Sequence, residues 1–240
     1  MTNAQTISFC RRHLPHWTVA DRSYFVTIRL KGSLPRAVAE ELKREREALA
    51  GRKHSSGESE ELRKSQFKRI EAILDSVQHG PRFLDIVPVS KIVFRGFKWL
   101  EESKGWLVHA ATVMPNHLHL LMRHPEGKNG QLNRDLDIFK GFTAHEVNKH
   151  LDRVGKPFWM DENFDHWCRD DAKLRGAVRY IVMNPVKAGL VAQWQNWPWT
   201  TVSQAFLPDP GNSQAGMPDL QKIAMNTPNE NRPEYRATEV

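Results

Sequence analysis

The chain has 240 residues and only two cysteines, Cys10 and Cys168. These two thiols could pair, but two cysteines in so long a chain do not make a disulfide framework. A reducing cytoplasm is therefore the expected setting. No stretch approaches the ~18 consecutive apolar residues of a membrane helix, so no membrane partner is expected. The first eight residues lack the basic start and apolar run of a secretory signal. Acidic side chains are outnumbered: 28 Asp and Glu stand against 35 Lys and Arg, a formal charge of +7. The deficit is uneven. Residues 201–240 carry three basic and five acidic side chains, leaving a net +9 on the first 200. A basic body fits a polyanionic partner, with nucleic acid first. The 40% hydrophobic content suits one soluble domain with a sizeable core.

What is present reads as an α+β order. Tyr24 to Leu30 is rich in β-branched and aromatic residues, and alternation puts Tyr24, Val26, Ile28 and Leu30 on one face of a strand. Residues 36–50 and 59–78 are highly charged and helical in composition, with a narrow apolar stripe of Leu62, Ile70, Ile73 and Leu74. They are expected to form a solvated helical pair that can pack on the sheet edge. Pro88 opens a further helix that buries Ile92, Val93, Phe97 and Leu100. Trp106 to Val113 and His117 to Met122 read as a hairpin that turns at Pro115-Asn116. Residues 131–150 form a helix candidate, 158–168 read as irregular, and Asp170 or Asp171 can cap a helix carrying Tyr180. Trp194, Trp197 and Trp199 are expected to pack around Pro198 rather than stack on bases. From Pro208 onward Pro, Gly, Asn and Gln dominate, so 208–240 reads as a disordered tail beside a domain of residues 1–207. Runs of strands and helices in this order predict a central antiparallel sheet flanked by helices.

The candidate chemistry sits in Met114-Pro115-Asn116-His117-Leu118-His119-Leu120. Side chains alternate along a strand, so His117 and His119 share a face while Leu118, Leu120 and Met122 face a core. Two neighbouring imidazoles are natural metal ligands. Farther on, Tyr180 and Asn184 stand one helical turn apart. Pro185 disfavours helical geometry at Asn184, so the helix could end there. Asp161, Glu162 and Asp165 are alternative ligands or acid–base groups, with a solvated acidic loop as the simpler reading. His166 and Cys168 lack the second pair that a structural zinc site needs.

Taken together, the landmarks resemble the REP-associated tyrosine transposases, single-tyrosine HUH enzymes linked to repetitive extragenic palindromes in bacterial genomes. The resemblance rests on Arg12 to Trp17, Tyr24 to Leu30 with Ser33-Leu34-Pro35, and Val113 to Leu121. It continues through Phe139 to Ala144, Phe158-Trp159, Phe164 to Trp167, Tyr180-Ile181, Asn184 to Val191 and Trp197-Pro198-Trp199. These occur in the family's order over roughly residues 11–202. The resemblance implies an HUH-type, ferredoxin-like α+β domain. His117, His119 and Asn184 would hold Mg²⁺ or Mn²⁺, and Tyr180 would be the nucleophile. Arg11, Arg12, His13 and Lys140 would contact a single-stranded DNA hairpin. A bacterial cytoplasm, at the nucleoid, would be the location. Either a monomer or a homodimer that exchanges tyrosine helices would fit.

The residues agree with that chemistry. A phenol with a free pKa of about 10 is a poor nucleophile at neutral pH, and a cation holding the phosphate aligns it for in-line attack. The expected product is a 5′-phosphotyrosine with a free 3′-hydroxyl, which permits strand transfer without ATP. Two other functions share the features: a catalytically inactive hairpin-binding protein, and a metallohydrolase that attacks with water and leaves no protein–DNA adduct.

Overall fold

The computed structural model describes residues 6–11, 15–19, 21–50, 56–124 and 131–206. The expected tail at 208–240, and Arg12 and His13, lie outside the described residues. Strands β1 (Thr6–Arg11) and β2 (Pro15–Val19) pair as an antiparallel ribbon that carries Arg11 at its turn end. The main sheet has five antiparallel strands in the order β6-β3-β5-β4-β7. Its members are β3 (Ser23–Arg29), β4 (Leu107–Val113), β5 (His117–Arg123), β6 (Phe164–Trp167) and β7 (Thr200–Val202). The helices are α1 (Arg36–Ala50), α2 (Ser56–Asp75), α3 (Val87–Lys104), α4 (Leu132–His150) and α5 (Asp171–Lys187). The α+β expectation is borne out: the antiparallel sheet is flanked by helices.

Strand alternation sorts the side chains into two layers. Tyr24, Val26, Ile28 and Leu30 of the β3 segment join Leu118, Leu120 and Met122 of β5 in a core shared with α3 and α4. The opposite face presents Phe25, Ala110 and Leu121 to Val178, Ile181 and Val182 of α5. His117 and His119 have the parity of Leu121, so they too face the α5 side. Three buried tryptophans pair their N–H groups, as a polar tip inside a core favours. Trp106 donates to Asp135 Oδ2 at 2.9 Å, Trp159 to Thr143 Oγ1 at 2.9 Å and Trp197 to the Val113 carbonyl at 2.9 Å. Trp194, Trp197 and Trp199 are all buried, so they pack as expected.

Helices α3 and α4 approach closely because Gly96 lacks a side chain. A Cβ there would run into the ring of Phe139, itself stacked on Phe97 at 5.9 Å. Gly96→Ala is expected to cost about 1–3 kcal/mol through overpacking. Thermal unfolding should show this as a drop of several degrees, and an unchanged melting curve would refute the tight crossing.

Two expectations need correction. Residues 164–167 form a strand, not irregular chain, because β3 pairs on its free edge from Tyr24↔Trp167 to Thr27↔Phe164. Helix α5 does not stop at Asn184; it runs through Pro185 to Lys187, and the Ala188 N–H donates to the Asn184 carbonyl at 2.9 Å. Proline removes only one late hydrogen bond there, while Ile181, Val182 and Pro185 are buried in the continuing turn. The charged pair α1 and α2 does pack on the sheet, as its apolar stripe allows. Leu34, Leu42, Ile70 and Leu74 form a small core, and Phe67 meets Phe25 of the sheet at 6.2 Å. This packing carries the C-terminal end of α2 onto the histidine face.

Candidate active site

Sheet register positions the histidines. His119 of β5 lies opposite Thr27 of β3 and Thr112 of β4. The Thr27 hydroxyl is 3.0 Å from His119 Nδ1 and itself donates to Glu71 Oε1 at 3.0 Å. With its hydrogen committed to Glu71, Thr27 accepts from the His119 Nδ1–H. The Asn116 Oδ1 atom, an acceptor, takes the His117 Nδ1–H at 2.7 Å. In its neutral form each ring therefore carries its lone pair at Nε2. Those two Nε2 atoms face each other at 3.0 Å with both side chains fully buried. Burial first, and then the neighbouring His119, hold the His117 pKa well below its ordinary value, so the ring stays neutral.

Two carboxylates of α2 close the site. Asp75 Oδ1 lies 3.7 Å from His117 Nε2 and 3.9 Å from His119 Nε2. Glu71 Oε2 lies 3.5 Å from His119 Nε2. The Tyr180 hydroxyl donates to Glu71 Oε2 at 2.5 Å and to Asp75 Oδ2 at 3.0 Å. Asn184 Nδ2 donates to Asp75 Oδ1 at 2.9 Å and stands 3.4 Å from His119 Nε2. Burial raises the Glu71 carboxyl, only partly countered by His119 and by hydrogen bonds from Tyr180 and Thr27. Burial also pushes Asp75 up, but contacts with His119 and Asn184 outweigh it and leave its pKa lowered. Burial and then the charges of Glu71 and Asp75 raise the Tyr180 phenol far above its ordinary value. The nucleophile candidate is thus a neutral phenol.

The donor set suits a divalent cation. Among the described residues, Asp75, His117 and His119 are the group whose ligand atoms all fall within 4.8 Å of one another. Opposed imidazole lone pairs repel, and an ion between them turns that repulsion into bonding. Two Nε2 atoms 3.0 Å apart are close enough to be shared by one ion. Asn184 Oδ1 is buried with no hydrogen-bond partner, a further oxygen donor beside the cluster. The second partners of both histidines fix ring orientation as outer-shell groups do at metal sites.

His117, His119, Tyr180 and Asn184 converge here, and Tyr180 meets the histidines of its own chain, its ring centroid 5.2 Å from that of His119. Lys140 does not converge. It is buried in α4, its ammonium donating to the Asp161 carbonyl at 2.7 Å and lying 3.5 Å from Asp137. Of the alternative acids, Asp161 is highly exposed beside Lys31 at 3.8 Å. His166 packs its ring on Phe25 at 5.1 Å. Burial raises the Cys168 thiol to about 11 and keeps it protonated. Thr27, Asn116, Glu71 and Asp75 were not foreseen. One signal was available: Phe67, Ile70, Glu71, Leu74 and Asp75 follow the i, i+3, i+4, i+7, i+8 spacing, which puts two acids on the buried stripe of α2.

The site belongs to an α+β protein with a tyrosine, a paired-histidine strand and carboxylates in one contact network. A stretch of 102 residues, 42% of the chain, is 34% identical to the REP-associated tyrosine transposase of Escherichia coli strain K12. A second, of 123 residues and 47% of the chain, is 29% identical to a Haemophilus influenzae protein named for the same kind of transposase. These stretches cover 58% and 68% of the relatives, so the chain spans little more than half the length of the first. A solved structure of the REP-associated tyrosine transposase bound to a REP hairpin aligns with a TM-score of 0.48 at 17% identity, over 81% of this chain and 82% of that one. No family model matches the chain. Over these stretches the chain is similar to REP-associated tyrosine transposases, the resemblance its landmark motifs carry.

Proposed function

We propose that this chain is a metal-dependent endonuclease and strand transferase that acts on single-stranded DNA at hairpins through a 5′-phosphotyrosine on Tyr180. The observation that carries this reading is the contact of the Tyr180 hydroxyl with Glu71 and Asp75, whose side chains also reach the Nε2 atoms of His117 and His119. Residues 1–207 would form the one catalytic domain, working in a bacterial cytoplasm.

His117, His119 and Asp75, with Asn184 beside them, would hold Mg²⁺ or Mn²⁺. When bound, such an ion polarises the scissile phosphate and offsets its charge. The chain's own residues do the rest. Thr27 and Asn116 keep the two imidazoles in the Nε2-accepting form. Asn184 donates to Asp75 and fixes its rotamer. Helix α5 buries Ile181 and Val182 and so holds Tyr180 at a fixed height over the sheet. The exposed Lys187 puts an ammonium 4.8 Å from the Tyr180 ring centroid, a cation beside the nucleophile for an incoming phosphate. Fixing the hydroxyl and the phosphate together removes most of the entropic cost of attack. Arg11, Arg12 and His13 are proposed to contribute to DNA contact, Arg11 from the β1–β2 ribbon, while Lys140 would serve it from beneath by holding the Asp161 carbonyl.

The test uses labelled single-stranded hairpin oligonucleotides from DNA flanking the gene, run on a denaturing gel. With Mn²⁺ the chain should yield protein-linked DNA, and with EDTA none. Cleaved DNA without an adduct would replace this reading with a water-attacking hydrolase.

A further inference from the structure

The α2 carboxylates divide between two tasks. Asp75 Oδ1 accepts from Asn184 and faces both Nε2 atoms, so it belongs with the cation. Glu71 is placed differently. Its side chain is buried, one oxygen is held by the Thr27 hydroxyl at 3.0 Å, and the other takes the Tyr180 hydroxyl at 2.5 Å. Anchoring one oxygen fixes the second at the Tyr180 hydroxyl, at a shorter distance than the 3.0 Å from that hydroxyl to Asp75 Oδ2. Glu71 is also within 4 Å of His119 alone of the histidine pair, at 3.5 Å. It stands between the outer partner of a metal-binding histidine and the nucleophile.

We infer that Glu71 is a catalytic residue, the group that takes the proton from Tyr180 as the phosphotyrosine forms and returns it when the strand is rejoined. The inference rests on the phosphotyrosine reading above. In cleavage the Tyr180 Oη–phosphorus bond forms as the bond from phosphorus to the 3′-oxygen breaks. The electron pair leaves on the 3′-oxygen, which takes a proton from water, and the phenolic proton moves to Glu71 Oε2. In rejoining, a 3′-hydroxyl attacks phosphorus, loses its proton to water, and Tyr180 departs with the proton held by Glu71. One residue thus serves both directions, which a reversible strand transfer requires. A proton acceptor must lie within hydrogen-bond reach of its donor, and this one does.

The experiment compares wild type with Glu71→Gln on a hairpin oligonucleotide in Mn²⁺. It follows adduct formation and rejoining, with hairpin binding, Mn²⁺ binding and thermal melting as controls. Gln still accepts from the phenol but takes no proton at neutral pH. Both rates should fall by about 100-fold or more, the usual range for a general base, while the controls change little. A second arm separates chemistry from packing: 3,5-difluorotyrosine at 180, a more acidic phenol, should restore Glu71→Gln by about tenfold or more and change wild type less. Equal rates in wild type and Glu71→Gln would overturn the assignment alone. Equal response of both proteins to the fluorinated phenol would also overturn it. No adduct in wild type would overturn this inference together with the function it rests on.

Discussion

Replacing Tyr180 by Phe is expected to remove every trace of protein-linked DNA. The substitution deletes the only atom that can form the phosphoester at this position, so the effect is a loss rather than a slowing. The fold should survive. Val178, Ile181 and Val182 of the same helix keep their places in the core, and the ring keeps its neighbours His119 at 5.2 Å and Phe25 at 5.8 Å. Hairpin affinity should stay within a few-fold of wild type, because binding draws chiefly on cationic contacts to phosphates. Stability should fall modestly, by about 1–3 kcal/mol, because Glu71 and Asp75 each lose a donor in a largely buried site. A denaturing gel, a native shift and a melting curve test the three parts. An adduct in the Phe variant would show that another residue attacks DNA.

Replacing Asp75 by Asn should abolish the response to metal. Wild type should be stabilised by Mn²⁺, since a ligand at 100 times its dissociation constant adds about 2.7 kcal/mol to folding. Asn keeps the size of Asp but loses the negative charge that faces both Nε2 atoms. Imidazole and amide ligands bring no negative charge, so Asp75 supplies the anionic ligand among Asp75, His117 and His119. Mn²⁺ affinity should fall about 100-fold or more, the Mn²⁺-induced shift in melting temperature should vanish, and adduct formation should fall with it. Thermal shift across a Mn²⁺ titration measures this directly. An unchanged shift would place the cation elsewhere. The position of Asp75 is itself informative. It is the last residue of α2, where the helix dipole disfavours an anion. Helix stability does not explain a carboxylate there, whereas a cation site does.

The sequence by itself determined the three central strands of the sheet and the shared face of both histidines. A period of two is unambiguous in an apolar strand, and Leu118, Leu120 and Met122 left His117 and His119 only the opposite face. It also determined that Tyr180 and Asn184 share a helix face, although Pro185, directly after Asn184, obscured how far the helix ran. The family landmarks carried the transposase resemblance because they recur in a specific order. Tertiary structure decided the rest. Which carboxylates meet the histidines depends on packing between segments over 40 residues apart, and no local pattern encodes that distance. Charge density made α2 look solvated because most of its residues are, and the two acids on its buried stripe count for little in a compositional average. The tautomers of His117 and His119 depend on Asn116 and on Thr27, which strand pairing brings beside β5. Hydrophobic periodicity specifies which side of an element is buried. Only the folded chain specifies what that side is buried against, and the chemistry of this site resides in those contacts.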